Sequence, residues 1–405
     1  MVVAGASMGG LRAAEQLRAA GWTGEVTVVG DEPHMPYNRP PLSKDVLAGR
    51  ATFESLALTP KAVAADVEWR LGTKVAAARL AERTLVLADG ARLDYDGLVV
   101  ATGVRPRRLR CPGPLAGRHT VRTLADAQGL REELTRPGVR VVVVGAGFIG
   151  CEVAATAVGL GVAEVTVVDP LPLPMMGPLG ELLARALLRR HEERGVRFAL
   201  GVGVSGFEAG TDRGPGGARA TGVRLADGRL LAADVVVESV GSVANVEWLD
   251  GNGLDLSDGV LTDGRLRVGG RPEVRAVGDV ARFPNARYDS VPRRVEHWSI
   301  PADSARHAAK DLVAHLAGDP RESAPFAPLP TFWSDQHEFR LQSFGAPTLG
   351  LADVRVLDGD PEADLVVGYH VDDRLVGVVA LGGHATALSA ARHRAELLRQ
   401  PALTS

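Results

Sequence analysis

Hydrophobic and polar positions along the chain describe one structural unit twice. Each copy has a short apolar run, a turn rich in glycine, a stretch with apolar residues at helical spacing, and a second apolar run that ends at an acid. The order strand, turn, helix, strand predicts two βαβ units with parallel strands. The predicted strands span residues 2–4, 26–29, 141–144 and 165–168, and the predicted helices span residues 11–18 and about 151–160.

The two glycine-rich turns have the spacing of a dinucleotide-binding fingerprint. They read GASMGG at residues 5–10 and GAGFIG at residues 145–150. In such a turn the first glycine allows a tight bend, the second lets the backbone approach a pyrophosphate, and the third lets helix and strand pack closely. Ser7 stands where the middle glycine is usual, and we interpret the first turn as a modified site because a small side chain is tolerated there. Two copies in matching context predict two dinucleotide sites, which suggests one flavin and one nicotinamide cofactor.

An acid closes each of the two units. Asp31 and Glu32 follow the second strand of the first copy, and Asp169 follows that of the second. An acid at this position accepts hydrogen bonds from a ribose 2′-hydroxyl and repels a 2′-phosphate. No lysine or arginine occurs between Asp169 and Arg185 to receive such a phosphate. The second unit is therefore expected to prefer NADH to NADPH, unless Asp169 only ends a strand.

Composition narrows the class of protein further. A length of 405 residues predicts two to three domains, and a net charge of −3 excludes a generally basic nucleic-acid binder. The most apolar stretch, residues 141–168, is interrupted by Glu152 and Glu164, so no run within it is long enough for a membrane span. No signal peptide is visible, and we expect a cytoplasmic protein. The 10 histidines show no metal-ligand spacing, so no metal site is predicted.

Two later segments extend the pattern. Residues 96–103 form an apolar strand that ends in Ala-Thr-Gly, and residues 273–279 form another that ends in Gly-Asp. With the two glycine turns they resemble the flavoproteins with two dinucleotide-binding domains, the glutathione-reductase-like superfamily. There the Ala-Thr-Gly turn joins the FAD and NAD domains, and the late carboxylate binds the flavin ribityl chain. The resemblance implies this role for Asp279.

Three motifs narrow the resemblance to the NADH-linked, FAD-dependent ferredoxin reductases of oxygenase and cytochrome P450 systems. Residues 36–44, PYNRPPLSK, resemble the PYxRPPLSK segment of that family, and residues 294–298, RVEHW, resemble its EHW segment. Residues 332–336, FWSDQ, resemble the segment that opens its C-terminal domain. The family takes hydride from NADH and feeds [2Fe–2S] ferredoxins or rubredoxins, which serve cytochromes P450 or ring-hydroxylating dioxygenases. The resemblance implies that activity here.

The resemblance also implies individual site residues. Lys44 and Glu152 match a catalytic pair beside the flavin, where a lysine favours the reduced, anionic flavin and a glutamate holds the lysine. A solvated loop lysine and an acid near a helix N-terminus are the alternatives. Asp31 is favoured for the FAD ribose, with Glu32 as the alternative. The implied FAD contacts are Gly5, Ser7, Gly9, Gly10, Asp31, Arg39, Lys44, Val75, Arg122, Asp279 and Trp298, and the implied NAD contacts are Gly145, Gly147, Ile149, Gly150, Asp169 and Gly241.

The predicted fold class is α/β, with two Rossmann-like dinucleotide-binding domains and a small C-terminal α+β domain. We expect the glycine-rich residues 208–222 to form a loop. Antiparallel strands near residues 365–369 and 375–381 are expected to precede a last helix over residues 385–398. The predicted domains are an FAD domain at residues 1–107 and 243–317, an NAD domain at residues 108–242, and a C-terminal domain at residues 323–405.

The partner surface is predicted from charge and from the same motifs. Ferredoxins are generally acidic, and Arg306 and Trp333 are favoured contacts because their motifs lie beside the flavin in the family. Trp333 either shortens the electron path or packs a domain interface, and a solvated arginine is the alternative for Arg306. Ile300 and Ser304 depart from a common Asn and Gln of the family, at positions expected on the flavin side of a helix that starts at Pro301. The chain is expected to be a monomer or a homodimer.

Two rival functions differ from the ferredoxin reductase in chemistry. A disulfide reductase, or an NADH oxidase or peroxidase of the same scaffold, needs a redox cysteine in the FAD domain. The first 107 residues contain no cysteine, and the two cysteines of the chain are Cys111 and Cys151. A redox-dependent binding protein like the apoptosis-inducing factors usually carries a long C-terminal insertion, for which residues 323–405 are too compact. Electrons are therefore expected to leave the flavin directly for an external acceptor.

Overall fold

The computed structural model of the chain describes residues 1–214, 217–321 and 323–399. Within these ranges the chain forms α-helices joined to several β-sheets. None of the described helices is both long and apolar enough to cross a membrane. The helices are α1 (Met8–Ala19), α2 (Phe53–Leu56), α3 (Leu124–Leu134), α4 (Phe148–Gly159), α5 (Met176–Glu192), α6 (Ile300–Leu316) and α7 (His384–Arg399).

The N-terminal strand Val2–Ala4 lies in the middle of a six-stranded sheet. It pairs in parallel with Thr27–Val29 on one side and with Leu98–Val100 on the other. These three strands are buried throughout because helices cover the sheet; α1 and α6 pack against each other there. The Rossmann-like arrangement predicted for the first unit is confirmed. In spatial order the strands are Arg267–Val268, Arg271–Ala276, Leu98–Val100, Val2–Ala4, Thr27–Val29 and Glu68–Arg70.

The second glycine turn follows the central strand of a five-stranded parallel sheet. Its strand Arg140–Val144 has four consecutive buried valines and is flanked by Glu164–Asp169 and Val235–Glu238. Helix α4 makes the crossover from the central strand to its neighbour, as a right-handed βαβ unit requires. The second predicted Rossmann-like unit is confirmed. In spatial order the strands are Val196–Leu200, Glu164–Asp169, Arg140–Val144, Val235–Glu238 and Arg118–His119.

The C-terminal part is an antiparallel sheet of five strands with α7 packed on it. The predicted antiparallel pair is confirmed as Leu365–Val371 and Arg374–Gly382, and the predicted last helix is α7. The α/β class with a C-terminal α+β part is therefore as predicted. The strands in spatial order are Thr331–Gln336, Phe339–Gly345, Arg374–Gly382, Leu365–Val371 and Val354–Gly359.

Each of these three sheets draws its strands from one of the three predicted segments, while the domain boundaries stay a prediction. Residues 400–405 of the predicted C-terminal domain lie outside the described residues. Smaller sheets complete the fold. They contain Val75–Arg79, Thr84–Leu87 and Arg92–Asp94; Val204–Gly214, Gly217–Leu225 and Leu230–Ala232; Val104–Pro106 and Ser242–Ala244; and Val260–Leu261, Ala281–Phe283 and Arg293–Arg294.

Three local predictions were wrong. The glycine-rich residues 208–222 do not form a loop in the described part of that segment but two antiparallel strands, with residues 215–216 outside the described residues. The pairing of the two strands shifts register at several positions in this segment. Buried Phe207 and Val223 pack the strands against the neighbouring sheet. Helices α1 and α4 begin three residues earlier than predicted, within the glycine-rich motifs. Helix α6 begins at Ile300, one residue before Pro301.

Candidate active site

A cavity of about 610 Å³ lies where the two parallel sheets and the C-terminal sheet meet. Its volume is in the range of small-molecule and cofactor sites, and it opens at the carboxyl end of Val2–Ala4, where doubly wound sheets bind ligands. Residues from all three parts of the chain line it. The predicted site residues that line the cavity are Ser7, Gly9, Arg39, Lys44, Arg122, Ile149, Glu152, Asp279, Trp298 and Trp333.

The first glycine turn leaves room for a ligand at one position and is closed by protein at two others. A Cβ on Gly5 would lie 2.2 Å from the carbonyl oxygen of Ala101, and φ of Gly5 is +119°. A Cβ on Gly10 would lie 1.8 Å from the carbonyl oxygen of Gly5. A Cβ on Gly9 would make only ordinary contacts, none closer than 3.7 Å, and Gly9 lines the cavity. Packing thus requires Gly5 and Gly10, while Gly9 keeps backbone accessible from the cavity.

The second turn repeats this division more sharply. A Cβ on Gly145 would lie 2.1 Å from the carbonyl oxygen of Ser239, and one on Gly150 would lie 1.9 Å from that of Gly145. Apart from its chain neighbours, no atom of the described residues would lie within 4 Å of a Cβ on Gly147. Helices α1 and α4 begin within the two glycine-rich motifs and have no acidic residue in their first helical turn, so their N-terminal N–H groups favour an anion. Both turns therefore fit a dinucleotide pyrophosphate.

The acids that close the two units are placed differently. Asp169 is half-buried and accepts hydrogen bonds from the backbone N–H of Ala146 at 2.7 Å and of Leu171 at 2.8 Å. Each of its carboxylate oxygens keeps acceptor capacity for a ribose hydroxyl. The Asp31 side chain is exposed. Neighbouring Glu32 instead accepts hydrogen bonds from the Tyr37 hydroxyl at 2.6 Å and from Arg39 at 2.5 Å.

Arg39 forms hydrogen bonds both to the first glycine turn and to the backbone of Arg122. Its Nε donates to Ser7 Oγ at 3.2 Å, and its Nη1 donates to the carbonyl oxygen of Arg122 at 2.6 Å. Burial opposes ionisation of Glu32, but the charge and hydrogen bonds of Arg39 outweigh it, so the pKa of Glu32 is lowered. The guanidinium of Arg39, paired with Glu32, thus lies where α1 begins.

Asp279 and Arg122 face each other across the cavity wall. Their Oδ2 and Nη2 atoms are 3.5 Å apart. Burial raises the pKa of Asp279, an effect that the Arg122 charge partly opposes, and burial lowers the pKa of Arg122. A carboxylate at this depth needs donors, and hydroxyl groups such as those of a ribityl chain would supply them. The position therefore fits the role that the Gly-Asp motif implies.

The predicted pair Lys44 and Glu152 forms a buried ion pair. Lys44 Nζ lies 2.7 Å from Glu152 Oε2 and donates to the carbonyl oxygen of Pro40 at 3.0 Å. The hydroxyl of Ser43 donates to Glu152 Oε2 at 2.5 Å, and the hydroxyl of Ser334 donates to Oε1 at 2.5 Å. The Lys44 side chain is 14% exposed and that of Glu152 is 4% exposed, and both residues line the cavity.

Two tryptophans stand at the mouth of the cavity. Trp298 and Trp333 are in edge-to-face contact with ring centroids 5.1 Å apart, and Trp298 is 44% exposed. Behind them the ring of Phe332 contacts His297 and Phe148. Arg306 does not line the cavity; it is exposed on α6 and pairs with Asp303 at 3.3 Å. The structure thus brings Trp333 to the cavity and leaves Arg306 on the surface.

Neither cysteine is among the described residues that line the cavity. Cys151 is fully buried in α4, and this burial strongly raises the pKa of its thiol. Cys111 is half-buried and packs against the hairpin around Phe207. A thiol–disulfide reaction at the cavity has no cysteine to use.

The expectation for Ile300 and Ser304 was wrong. Both are fully buried and neither lines the cavity; the residue of α6 that does is Pro301. Ser304 Oγ donates to the carbonyl oxygen of Ile300 at 2.6 Å and accepts the N–H of Gly278 at 3.0 Å. Ile300 packs into the hydrophobic core beneath the six-stranded sheet, so this face of α6 is turned to the protein interior and not to the cavity.

Sequence reasoning missed Tyr37, Ser43 and Ser334, although all three lie inside the motifs that resemble the family. The remaining predicted residues are not part of the cavity lining. Val75 is buried at the start of a strand, and Gly241 takes φ +89° where its carbonyl oxygen accepts the N–H of Arg107 at 2.9 Å. The predicted residues outside the lining are Gly5, Gly10, Asp31, Val75, Gly145, Gly147, Gly150, Asp169 and Gly241.

Known families match most of the chain. The model of the family described as pyridine nucleotide-disulphide oxidoreductase matches residues 1–304, and the model described as reductase C-terminal matches residues 331–399. Members use FAD and NAD(H), which agrees with the two turns and the cavity between them.

Proteins with named functions are similar over nearly the full length. The chain is 39% identical to the "Probable ferredoxin reductase CtmF" of Castellaniella defragrans, over 92% of this chain and 88% of that protein. It is 37% identical to the putidaredoxin reductase CamA of Pseudomonas putida, over 93% and 87%. A crystal structure of the covalent putidaredoxin reductase–putidaredoxin complex matches with a TM-score of 0.87 and 35% identity, over 98% of this chain and 92% of that one. The chain therefore belongs to the pyridine nucleotide-disulphide oxidoreductase family, among its ferredoxin reductases.

Proposed function

We propose that the chain is an FAD flavoprotein that takes hydride from NADH and passes single electrons to a [2Fe–2S] ferredoxin or a rubredoxin. The ferredoxin would in turn serve a cytochrome P450 or a ring-hydroxylating dioxygenase. When bound, FAD accepts a hydride and releases its electrons one at a time. The protein's task is therefore to hold two cofactors against each other and to present one edge of the site to a protein partner.

One observation carries the proposal. A single cavity receives Ser7 and Gly9 from the first glycine turn and Ile149 from the second, so two dinucleotides bound to these turns would meet in it. The ion pair of Lys44 and Glu152 lies in the same wall. This is the arrangement that hydride transfer between two cofactors needs, because the reacting groups must lie in direct contact.

Each wall of the cavity has a separate task in this proposal. The N-terminus of α1 with Arg39 would hold the FAD pyrophosphate, and Asp279 would accept hydroxyl groups of the ribityl chain. The Lys44 ammonium would favour the negatively charged reduced flavin. The N-terminus of α4 with Gly147 would hold the NADH pyrophosphate, and Asp169 would accept the ribose hydroxyls and repel a 2′-phosphate.

The rival chemistry of this scaffold lacks its reactive group. Disulfide reduction and cysteine-dependent NADH oxidase or peroxidase chemistry need a thiol beside the flavin, and no described residue of the lining is a cysteine. Cys151 lies on α4 and is fully buried, and this burial raises the pKa of its thiol, which therefore stays protonated. The electrons are therefore expected to leave through the surface of the protein.

The exit is expected at the tryptophan pair. Trp298 is the exposed member and Trp333 lines the cavity in contact with it, so the two connect cavity and surface. Arg306 lies five residues beyond Pro301 on α6, about 7.5 Å along the helix axis from the cavity wall. Its side chain is 65% exposed and offers a charge to an acidic ferredoxin.

A steady-state assay tests this function. Purified holoprotein is mixed with NADH, a [2Fe–2S] ferredoxin and cytochrome c, with parallel reactions that omit ferredoxin or replace NADH by NADPH. We expect cytochrome c reduction to require ferredoxin and to be faster with NADH. A rate that is indifferent to ferredoxin would contradict the proposal.

A charge reversal tests the docking surface separately. Arg306→Glu is expected to raise KM for ferredoxin several-fold and to leave the rate of flavin reduction by NADH unchanged, because the change lies on the surface. Arg185→Glu is the matched control, since Arg185 is 67% exposed and pairs with an acid on its own helix, α5. If both variants change KM equally, or neither does, Arg306 is not part of the docking surface.

A further inference from the structure

A chain of buried polar side chains leads away from the Lys44–Glu152 pair into the C-terminal sheet. Ser334 and Gln336 lie on the same face of strand Thr331–Gln336, and each is 1% exposed. Gln336 Nε2 donates to Ser334 Oγ at 2.9 Å, and its Oε1 lies 2.7 Å from Nε2 of His191. His191 is fully buried in α5. Three separate parts of the chain thus contribute to one hydrogen-bonded series.

Which group donates and which accepts in every hydrogen bond of this series follows from the final acceptor, the Glu152 carboxylate. An ionised carboxylate only accepts, so Ser334 must donate its hydroxyl hydrogen to Glu152. The Ser334 oxygen then accepts from the Gln336 amide nitrogen, which leaves the Gln336 carbonyl oxygen to accept from Nε2–H of His191. Nδ1 of His191 is left as an acceptor, and Nε2 of His337 lies 3.3 Å from it. All donors therefore point toward Glu152.

We propose that Ser334 and Gln336 are positioning residues that orient the Glu152 carboxylate, and through it the Lys44 ammonium, by a one-directional hydrogen-bond chain that starts at His191. The inference deepens the proposed function, on which it rests, because it concerns the same site. Bonds that point in one direction polarise one another, and a donor to a charged acceptor is among the stronger hydrogen bonds. The C-terminal sheet therefore influences the cavity through Glu152, although Ser334 itself does not line the cavity.

The protonation of His191 supports this direction. Burial lowers the pKa of His191 to about 4, so the ring is neutral near neutral pH and carries one hydrogen. The chain requires that hydrogen on Nε2. Because Phe198 and Phe339 pack against the ring, Gln336 and His337 are its polar contacts in the described structure.

The midpoint potential of bound FAD reports on Lys44 without depending on turnover. Ser334→Ala removes the donor to Glu152 Oε1, so the carboxylate holds the ammonium less firmly and the reduced flavin loses stabilisation. We expect a more negative potential, by about a tenfold change in the equilibrium constant for reduction, which is ~30 mV for a two-electron couple. Gln336→Leu should shift the potential in the same direction by less, because Ser334 still donates.

Ser343→Ala is the matched control. Ser343 is a fully buried serine on the adjacent strand, paired in register with Phe332, and its hydroxyl has no hydrogen-bond partner in the structure. Its removal should leave the potential unchanged. FAD content and thermal midpoint are measured for each variant, so that a loss of folding is recognised.

The tautomer of His191 provides a second test that needs only the wild-type holoenzyme. In ¹⁵N NMR spectra, with the signal assigned by its absence in His191→Phe, we expect a neutral ring protonated at Nε2. Protonation at Nδ1, or a potential in folded Ser334→Ala equal to that of wild type, would overturn the proposal. The ferredoxin assay on the wild-type enzyme distinguishes a failure of this inference from a failure of the proposed function. The outcome of that assay does not depend on the tautomer of His191 or on the potential of Ser334→Ala.

Discussion

The two glycines Gly147 and Gly150 are predicted to respond in opposite ways to the same change. Apart from its chain neighbours, a methyl group on Gly147 meets no atom of the described residues within 4 Å, whereas one on Gly150 would lie 1.9 Å from the carbonyl oxygen of Gly145. Gly147→Ala should therefore leave the fold intact and occupy space meant for the NADH pyrophosphate. Gly150→Ala should instead force the helix away from the turn.

The magnitudes follow from these contacts. Gly147 precedes α4 with φ −79° and ψ −173°, an extended conformation that alanine adopts, so the change in unfolding free energy should stay within about 1 kcal/mol. Displacing a charge-assisted hydrogen bond to the pyrophosphate costs about 1.5–3 kcal/mol, so KM for NADH should rise about tenfold or more. For Gly150→Ala, overpacking against backbone costs at least about 1–3 kcal/mol.

Thermal unfolding and steady-state kinetics separate the two effects. At roughly 3 °C per kcal/mol, Gly150→Ala should lower the thermal midpoint by about 3–9 °C, and Gly147→Ala should change it little. KM for ferredoxin serves as an internal control, because Gly147 faces the nicotinamide cofactor in this account. An unchanged KM for NADH in Gly147→Ala, or a Gly150→Ala protein as stable as wild type, would refute the reasoning.

Three further predictions concern charge. Asp169→Asn keeps the size of the side chain and removes its repulsion of a 2′-phosphate, so the ratio of kcat/KM for NADPH to that for NADH should rise about tenfold, ~1.4 kcal/mol; an unchanged ratio argues against the acid as the selector. Glu238→Leu leaves the buried guanidinium of Arg118 without the carboxylate oxygen that lies 2.7 Å from its Nη2. The unfolding free energy should therefore fall by about 3–5 kcal/mol in urea titrations, and a loss below about 1 kcal/mol would disagree. Burial lowers the pKa of His191 from 6.5 to about 4, so the unfolded state binds the proton more tightly and stability is lost as pH falls from about 6.5 toward 4. Between pH 7 and pH 5 this amounts to about 2 kcal/mol, and His191→Leu should show a correspondingly flatter dependence.

The glycine turns were predictable because their requirements are local. Gly10 and Gly150 are required by contacts with Gly5 and Gly145, within one strand–turn–helix unit, so their spacing carries the information. The same local reasoning places the starts of α1 and α4 three residues too late. At Gly10 and Gly150 the glycine sits inside the first turn of a helix, where close packing on the preceding strand leaves no room for a Cβ.

Contacts between distant segments were not predictable from pattern. The pair of Lys44 and Glu152 was expected only through resemblance, and nothing in the periodicity joins Ser334 to Glu152. The burial of Ile300 depends on how α6 packs against the rest of the chain, which its own sequence does not reveal. Tertiary packing, rather than local preference, selects these arrangements.

The hairpin over residues 204–225 illustrates the same limit. Its glycines favour a loop by composition, but alternate apolar side chains, including Phe207 and Val223, are buried against the neighbouring sheet. Bulges let the strands keep pairing where the register shifts. An alternation of apolar and polar residues that bulges interrupt is hard to recognise in a single sequence. It becomes evident only when the sheet that the apolar side chains cover is known.

The most direct test of the central claim is an anaerobic titration of electrons. Holoprotein is mixed with a known amount of NADH and an excess of oxidised [2Fe–2S] ferredoxin, and reduced ferredoxin is counted from its absorbance. Since a hydride carries two electrons, the account predicts two reduced ferredoxins for each NADH consumed. NADH consumption without reduced ferredoxin, or a reduced flavin that persists in the presence of oxidised ferredoxin, would contradict it.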